Sequence, residues 1–244
     1  MQLDERLKSA KRPETPETVQ AFFSSVARRY DLANSVISLG LHYGWKRRAV
    51  REVNPRPGDK CVDVCSGTND VAIMLAKKIG PAGHVTAVDW NPDMQAVGDH
   101  KVAKMGLSER ITNIPGDAEA LPLPDDAFER ATVAVASRHL NIPNHFREMY
   151  RVLKPGGRAV VLDFFEPPNR VFRSLYFFYS YRILPWLGRL VTRDKTGVYA
   201  YLPDSIKLYY KPEDFAAEMK KAGFKNVTYY PLCHGIVYIH AGDK

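Results

Sequence analysis

Cysteine is scarce in this sequence, which excludes a disulfide framework and argues against a zinc site. Only three cysteines, Cys61, Cys65 and Cys233, occur among 244 residues. Cys61 and Cys65 lie on or beside a predicted buried strand, where small thiols commonly pack as part of the core. Zinc would require a second Cys or His pair at ligand spacing, and the sequence has none. We therefore expect free core thiols and no bound metal.

Long apolar runs are also absent. No stretch reaches the roughly 18 apolar residues that a membrane-spanning helix needs, and the first residues do not resemble a secretory signal peptide. A cytoplasmic location is the expectation that follows. The chain instead has a formal net charge of +8. Such a basic surplus suits an anionic partner, which could be nucleic acid, a membrane surface or an acidic ligand.

The Gly-x-Gly-x-x-Gly fingerprint of dinucleotide sites is a third absence, although the layout in which it occurs is present. Residues 60–64 predict a short buried strand and residues 71–79 a helix, joined by a turn in which Gly67 is the one glycine. A second strand, 84–88, leads into Asp89, whose carboxylate can accept hydrogen bonds from two ribose hydroxyls. This layout predicts a nucleotide-type cofactor at the turn.

Acidic side chains at the predicted strand ends narrow the choice of cofactor. Asp63 would repel a pyrophosphate but favours a cationic ligand. S-adenosylmethionine carries a sulfonium and an ammonium group, so we predict this cofactor rather than NAD. Asp117 lies in the turn 116–119, where it can accept a hydrogen bond from the exocyclic amine of adenine. Each aspartate alone could be a helix cap or a turn residue, but their order at successive strand ends favours one site.

Strands alternate with helices through the middle of the chain, which predicts a parallel sheet with helices on both faces. Such sheets bind ligands at the carboxyl ends of their strands. The predicted elements are helix 92–105 with Asn91 as its N-cap, strands 111–114 and 128–135, helix 144–153, strand 158–164, helix 215–222, and an antiparallel hairpin of 226–230 and 235–240.

The flanks of this core have less regular patterns. We expect a mobile arm or a loosely docked helix in the first 20 residues and a helix from Thr18 onward. Polar residues interrupt 28–45 without a period, which favours a loop with short turns, and a basic helix follows at 46–53. Two prolines favour a loop over 201–214.

Motifs in the flanks and in the core resemble those of the ubiquinone/menaquinone biosynthesis C-methyltransferases, the UbiE family. The first motif is Tyr30-Asp31, Asn34, Ser38, Gly40, His42 and Trp45, and the second is Arg-Val-Leu-Lys-Pro-Gly-Gly-Arg at 151–158. Shorter matches occur at 118–122, 184–185 and 201–206, and the resemblance covers roughly residues 18–241. It implies a class I methyltransferase fold, a Rossmann-like α/β fold in which a mostly parallel seven-stranded sheet has helices on both faces and a helical lid insertion.

Four segments are expected within that fold. They are an N-terminal helical arm and acceptor-side cap (1–57), an S-adenosylmethionine-binding α/β core (58–168), an aromatic and basic lid insertion (169–212), and a C-terminal helix and hairpin that complete the core sheet (213–244).

The resemblance also implies an activity, the methylation of a ring carbon of a polyprenylated hydroquinone with S-adenosylmethionine as methyl donor. Demethylmenaquinol is our first choice of acceptor, and a 2-polyprenyl-benzoquinol of ubiquinone synthesis is the second. Tail length and oligomeric state, a homodimer included, stay open. The alternative is a UbiE-like protein that binds S-adenosylmethionine but uses another acceptor or catalyses a non-methylating reaction.

The predicted cofactor site comprises Asp63, Gly67, Thr68, Asp89, Trp90, Asp117 and Ala118. Four of these, Thr68, Asp89, Asp117 and Ala118, carry over by position from the cofactor contacts of the family. The predicted catalytic residues are Arg138, His139 and Tyr30. Carbon methylation needs the neighbouring hydroxyl to lose its proton, so we expect Arg138 to stabilise the phenolate, His139 to act as the base and Tyr30 to orient the ring.

Three of the chain's departures from the family pattern lie near this site. Asn69, Ala134 and His139 stand where the family usually has glycine, serine and asparagine. Asparagine is the non-glycine residue that best tolerates a left-handed backbone, so we expect the turn to form at modest cost. For His139, the alternative to a base is a neutral histidine that is hydrogen-bonded at the edge of the sheet.

Residues 169–193 are rich in aromatic side chains, and six basic residues lie from Arg170 to Lys195 against one acid, Asp194. One interpretation is a lid on the inner face of an anionic membrane that admits a prenyl tail. The other is an ordinary helical cover with solvated arginines. Nucleic acid is not the expected partner, because the Asn/Asp-Pro-Pro-Tyr/Phe motif and an added recognition domain are both absent.

Overall fold

The computed structural model describes residues 15–193 and 196–244. The predicted N-terminal arm lies largely outside these described residues, as do Asp194 and Lys195 of the predicted lid. Among the described residues, no helix combines the length and the apolar character that crossing a membrane requires.

The described part of the chain contains seven strands. They are β1 Lys60–Val64, β2 His84–Asp89, β3 Ile111–Pro115, β4 Phe128–Ala134, β5 Leu153–Phe164, β6 Lys225–Leu232 and β7 Val237–Asp243. They form one sheet in the order β3-β2-β1-β4-β5-β7-β6. Strands β1 to β5 are parallel, β7 is antiparallel to β5, and β6 is antiparallel to β7. This confirms the predicted sheet with its closing hairpin.

Helices cover both faces of the sheet. The described helices are α1 Pro16–Val26, α2 Tyr30–Ile37, α3 Leu41–Glu52, α4 Asp70–Ile79, α5 Pro92–Lys104, α6 Ile142–Val152, α7 Arg170–Phe178, α8 Leu184–Thr192, α9 Val198–Lys207 and α10 Pro212–Lys221, with a π-helical turn, Tyr179–Ile183, joining α7 to α8. Along β5, Val160 and Leu162 pack with α3 and α4, while Ala159 and Val161 pack with α6 and α10. This alternation is the strand period that places the core on both faces.

The expected loop over 28–45 is wrong, because α2 and the first turn of α3 occupy it. Tyr30, Ala33 and Ile37 follow helical spacing and pack in one apolar cluster with α8 and α9. Ser35 is one of the polar residues that interrupt the apolar pattern. Its hydroxyl donates to the carbonyl of Asp31 in the same helix at 2.8 Å. Serine hydroxyls often satisfy themselves in this way inside helices.

The expected loop over 201–214 is also wrong. Helix α9 runs through Pro203, and α10 already begins at Pro212. Burial of Tyr199 and Ile206 on one side of α9 outweighs the backbone hydrogen bond that the proline removes. Pro212 is favourable where it stands, because the first residue of a helix needs no N–H partner.

Candidate active site

The turn between β1 and α4 has the backbone that the sequence predicts. Gly67 and Asn69 have φ values of +54° and +66°, both in the left-handed region. Asn69 precedes the first residue of α4, and its side-chain amide donates to Asn113 Oδ1 at 2.8 Å. Asparagine therefore adopts here the left-handed backbone that glycine also favours.

Asp89, at the end of β2, is hydrogen-bonded directly to this turn. One carboxylate oxygen accepts from the backbone N–H of Gly67 at 2.7 Å, and the other accepts from that of Asn91 at 2.8 Å. Burial raises the pKa of Asp89, and these two hydrogen bonds oppose that rise. Each oxygen keeps a further lone pair, so the carboxylate can still accept bonds from two hydroxyls of a ligand.

The remaining predicted cofactor residues lie at the neighbouring strand ends. Trp90 follows Asp89 and has an exposed fraction of 47%. Asp117 is exposed, and its Oδ1 accepts from the N–H of Glu119 at 2.8 Å, while Ala118 is buried. The predicted cofactor residues therefore lie along one edge of the sheet, from the end of β1 through the end of β2 to the turn after β3.

Asp63 is a buried carboxylate with one unsatisfied oxygen. Its Oδ1 accepts from the hydroxyl of Thr132 at 2.7 Å, but Oδ2 has no hydrogen-bond partner within the described part of the chain. Burial raises the pKa of Asp63 to about 7, although the bond from Thr132 opposes this. The side chain faces a cavity. A cationic group placed there would supply the missing partner, and S-adenosylmethionine carries two such groups.

The cavity has a volume of about 300 Å³ and lies between the carboxyl edge of the sheet and the surrounding helices. Five predicted site residues meet at its wall: Tyr30, Asp63, Gly67, Thr68 and Arg138. Most of the remaining wall is apolar. It includes Phe23, Ile37, Leu39, Trp45, Phe164, Leu184, Leu202 and Ile206. The wall also includes Ser66 and Asp70, which lie with Thr68 in or beside the cofactor turn.

Arg138 is held at the cavity wall by a buried ion pair. Its guanidinium lies 2.7 Å from Asp163, and the two side chains have exposed fractions of 3% and 0%. Arg138 also donates to Ser205 Oγ at 3.2 Å and to the carbonyl of Val135 at 3.0 Å. Burial raises the pKa of Asp163, and the charge of Arg138 opposes that rise. These contacts fix the guanidinium in one orientation.

His139 takes a different direction from its neighbour. Both residues belong to a short 3-10 turn, Ser137–His139. The ring of His139 stacks on Tyr201, with Nδ1 3.1 Å from the tyrosine hydroxyl, and it meets the edge of Phe23. Phe23 lines the cavity, whereas His139 is not among the lining residues. The structure therefore does not bring His139 together with Arg138 and Tyr30.

A chain of ion pairs connects the helical cap to the cofactor turn. The hydroxyl of Thr68 donates to Asp31 at 2.6 Å, and Lys101 lies 2.7 Å from Asp31 and 2.5 Å from Asp70. Lys46 approaches the other oxygen of Asp70 at 2.7 Å. Sequence reasoning missed this network, because its members come from four separate helices and the turn.

Sequence reasoning also gave no role to His42. This residue lies in the first turn of α3, has an exposed fraction of 6% and lines the cavity. The only signal was its presence in the first family motif, four residues after Ser38.

The family model for the ubiE/COQ5 methyltransferases matches residues 7–244. A "Ubiquinone/menaquinone biosynthesis C-methyltransferase UbiE" of Methylococcus capsulatus is 39% identical over 232 residues, which cover 95% of this chain and 93% of that protein. A protein of the same name from Stenotrophomonas maltophilia is 41% identical over 223 residues, with coverages of 91% and 88%.

Solved structures show the same fold at low sequence identity. A S-adenosylmethionine-dependent methyltransferase from Aquifex aeolicus superimposes with a TM-score of 0.61 at 18% identity, covering 81% of this chain and 88% of that one. At this identity the likeness shows the fold alone.

Proposed function

The chain belongs to the ubiE/COQ5 methyltransferase family, and we propose that it methylates a ring carbon of a polyprenylated hydroquinone. The predicted family resemblance, the class I fold and the cofactor, S-adenosylmethionine, are confirmed. The acceptor is our proposal. The observation that carries it is the cavity, whose largely apolar walls suit a prenylated ring and which Asp63, Gly67 and Thr68 of the predicted cofactor site also line.

The residues at the strand ends are proposed to bind the cofactor. Asp63 faces its cationic groups, Asp89 accepts from its ribose hydroxyls, and Asp117 accepts from its adenine amine. Trp90 and Ala118 flank the adenine, while Gly67 and Thr68 shape the turn. When bound, S-adenosylmethionine supplies a methyl group on a sulfonium. The protein's contribution is to hold the acceptor carbon in line with that group and to exclude water.

Arg138 and Tyr30 are proposed to act on the acceptor. The guanidinium of Arg138, fixed by Asp163, can stabilise negative charge that develops on a phenolic oxygen. Tyr30, on α2, also lines the cavity and can orient the ring. His139 contacts Tyr201 and Phe23 instead of the cavity space, so we now assign it a positioning role in place of the predicted role as base.

We further propose that the cavity opens at a membrane-facing surface. We term a set of nine exposed apolar residues the apolar surface. They lie on α2, in the turn that follows it, at the start of α3, and from α7 to α8: Leu32, Leu39, Leu41, Val171, Leu175, Phe178, Ile183, Trp186 and Leu190. Leu39, with an exposed fraction of 88%, also lines the cavity. Arg182 and Arg189 are exposed beside Ile183 and Leu190. This arrangement suits entry of a prenylated acceptor from an anionic bilayer.

We propose demethylmenaquinol as the preferred acceptor. The test is a competition in which the purified protein and S-adenosylmethionine meet equal amounts of short-tailed demethylmenaquinol and 2-polyprenyl-benzoquinol analogues under reducing conditions. Mass spectrometry then reports which acceptor gains one methyl group. Preferential methylation of the naphthoquinol supports the proposal. Preferential methylation of the benzoquinol rejects the acceptor choice, and cofactor binding with neither product supports the alternative of another reaction.

A further inference from the structure

His42 lines the cavity, and one of its ring nitrogens has no hydrogen-bond partner in the described part of the chain. The ring is more than nine-tenths buried and lines the cavity. Its Nδ1 lies 2.8 Å from Ser38 Oγ, whereas Nε2 is buried and has no hydrogen-bond partner among residues 15–193 and 196–244. Buried polar atoms are normally satisfied, so this nitrogen indicates a partner that arrives with a ligand.

The hydrogen bonds around Ser38 determine which ring nitrogen carries the proton. The single hydroxyl proton of Ser38 is donated to the carbonyl of Asn34 at 2.6 Å. Ser38 Oγ must therefore accept from His42, both from Nδ1–H at 2.8 Å and from the backbone N–H at 3.3 Å. In the neutral ring, a proton on Nδ1 leaves a lone pair on Nε2. The unpartnered nitrogen is thus an acceptor.

The surroundings keep the ring neutral. The pKa of His42 is lowered to about 4, chiefly by burial, and the positive charges of Lys46 and Lys101 act in the same direction. The carboxylates of Asp70 and Asp31 oppose this shift and would stabilise a transient imidazolium. At neutral pH the free protein therefore holds His42 in the form that can take up a proton.

We propose that His42 Nε2 binds the phenolic hydroxyl of the acceptor and takes its proton as the ring carbon is methylated, an inference that rests on the proposed function. The O–H bond breaks, and its electron pair moves into the ring. The ring carbon bonds to the methyl group, whose former bonding pair stays on sulfur. The carbon then loses its hydrogen as a proton while the oxygen regains one from His42, so one proton is released overall.

Two substitutions separate this role from a structural one. His42→Asn keeps an amide nitrogen near the position of Nδ1, where it can still donate to Ser38, and it removes Nε2. We expect kcat to fall by about 100-fold or more, the range for loss of a general base, with unchanged affinity for S-adenosylmethionine and an unchanged melting temperature. His42→Gln can place an amide oxygen near the position of Nε2, which accepts the hydrogen bond of the acceptor but cannot take its proton, so we expect KM for the acceptor to recover while kcat stays low. The matched control is His100→Asn, at an exposed histidine on α5, which should leave kcat unchanged.

A second readout does not depend on turnover. Long-range proton–nitrogen NMR of the free protein should show the Nδ1–H tautomer of His42. Addition of a reduced naphthoquinol analogue should shift the Nε2 signal, and its methyl ether should not. An undiminished kcat in His42→Asn, or equal Nε2 shifts with the naphthoquinol analogue and its methyl ether, would overturn the assignment of His42 as the base. If the wild type methylates no quinol but Nε2 still distinguishes phenol from ether, the proposed function fails while the binding role of His42 stands.

Discussion

A methyl group on Gly98 would lie 2.7 Å from the side-chain nitrogen of Asn69. The missing side chain of Gly98, on α5, therefore makes room for the asparagine that stands in the cofactor turn. The same methyl group would also approach the carbonyl of Gly67 at 3.3 Å. The side chain of Asn69 thus occupies space that a larger residue than glycine at position 98 would take.

Gly98→Ala should destabilise the protein, although glycine-to-alanine changes inside helices usually stabilise by about 0.5–1 kcal/mol. Overpacking against Asn69 should cost about 1–3 kcal/mol. The double variant with Asn69→Gly should recover most of this, which chemical denaturation of all four proteins would measure. Gly44→Ala is the matched control, because nothing lies within 4 Å of its added methyl group. If the changes in the free energy of unfolding from Gly98→Ala and Asn69→Gly simply add in the double variant, the proposed contact between the two positions is wrong.

Asp163→Asn should remove the partner of a buried guanidinium. An unpaired buried charge costs about 3–5 kcal/mol, so we expect a loss of that size in the free energy of unfolding, together with a large loss of kcat. Asp125 is the comparison, since it pairs with Arg151 but has a side-chain exposed fraction of 70%. Asp125→Asn should change stability by no more than about 1 kcal/mol. Equal effects of the two substitutions would count against the proposed role of the Arg138–Asp163 pair.

Cofactor binding should release protons near pH 7. The pKa of Asp63 is raised to about 7 in the free protein, and a cation beside the carboxylate would lower it again. The affinity for S-adenosylmethionine should therefore increase as the pH rises through about 7. Calorimetry in buffers of different ionisation enthalpy would measure the released protons. The buffer dependence should be smaller in Asp63→Asn, and its absence from the wild type would reject the assignment of Asp63 to a cationic group.

The apolar surface should bind anionic vesicles. In sedimentation assays we expect binding to vesicles that contain phosphatidylglycerol, weaker binding at high salt, and a clear loss in the double variant Leu39→Ser and Trp186→Ser. Met105→Ser alters an exposed apolar side chain that lies outside this surface, at the end of α5, and it should have no effect. Failure of the wild type to sediment at low salt would reject the membrane proposal without affecting the proposed chemistry.

The sequence predicted the sheet well because its strands are short, apolar and separated by clear turn signals. It also predicted the left-handed backbone at Asn69, which follows from the chemistry of asparagine. It missed α2, because polar residues such as Ser35 interrupt the apolar pattern. The sequence does not show that the hydroxyl of Ser35 donates to the carbonyl of Asp31 within the same helix. It missed α9, because tertiary packing overrides the effect of Pro203.

The candidate site was harder to predict than the fold. Arg138 and His139 are adjacent in sequence, but the 3-10 turn sends one towards Asp163 and the other towards Tyr201. No periodicity distinguishes these directions, because a single tight turn sets them. The ion pairs of Asp31, Lys101 and Asp70 are equally hidden from sequence reasoning, since they depend on how α2 packs against α4 and α5.

Methylation of the ring carbon can be tested directly with S-adenosylmethionine that carries an isotopically labelled methyl group and a short-tailed demethylmenaquinol analogue. NMR of the extracted product reports which atom carries the label. We expect an aryl methyl signal on the ring carbon, dependent on Arg138. A labelled methyl ether on oxygen, or recovery of unchanged acceptor from an enzyme that binds the cofactor, would contradict this expectation.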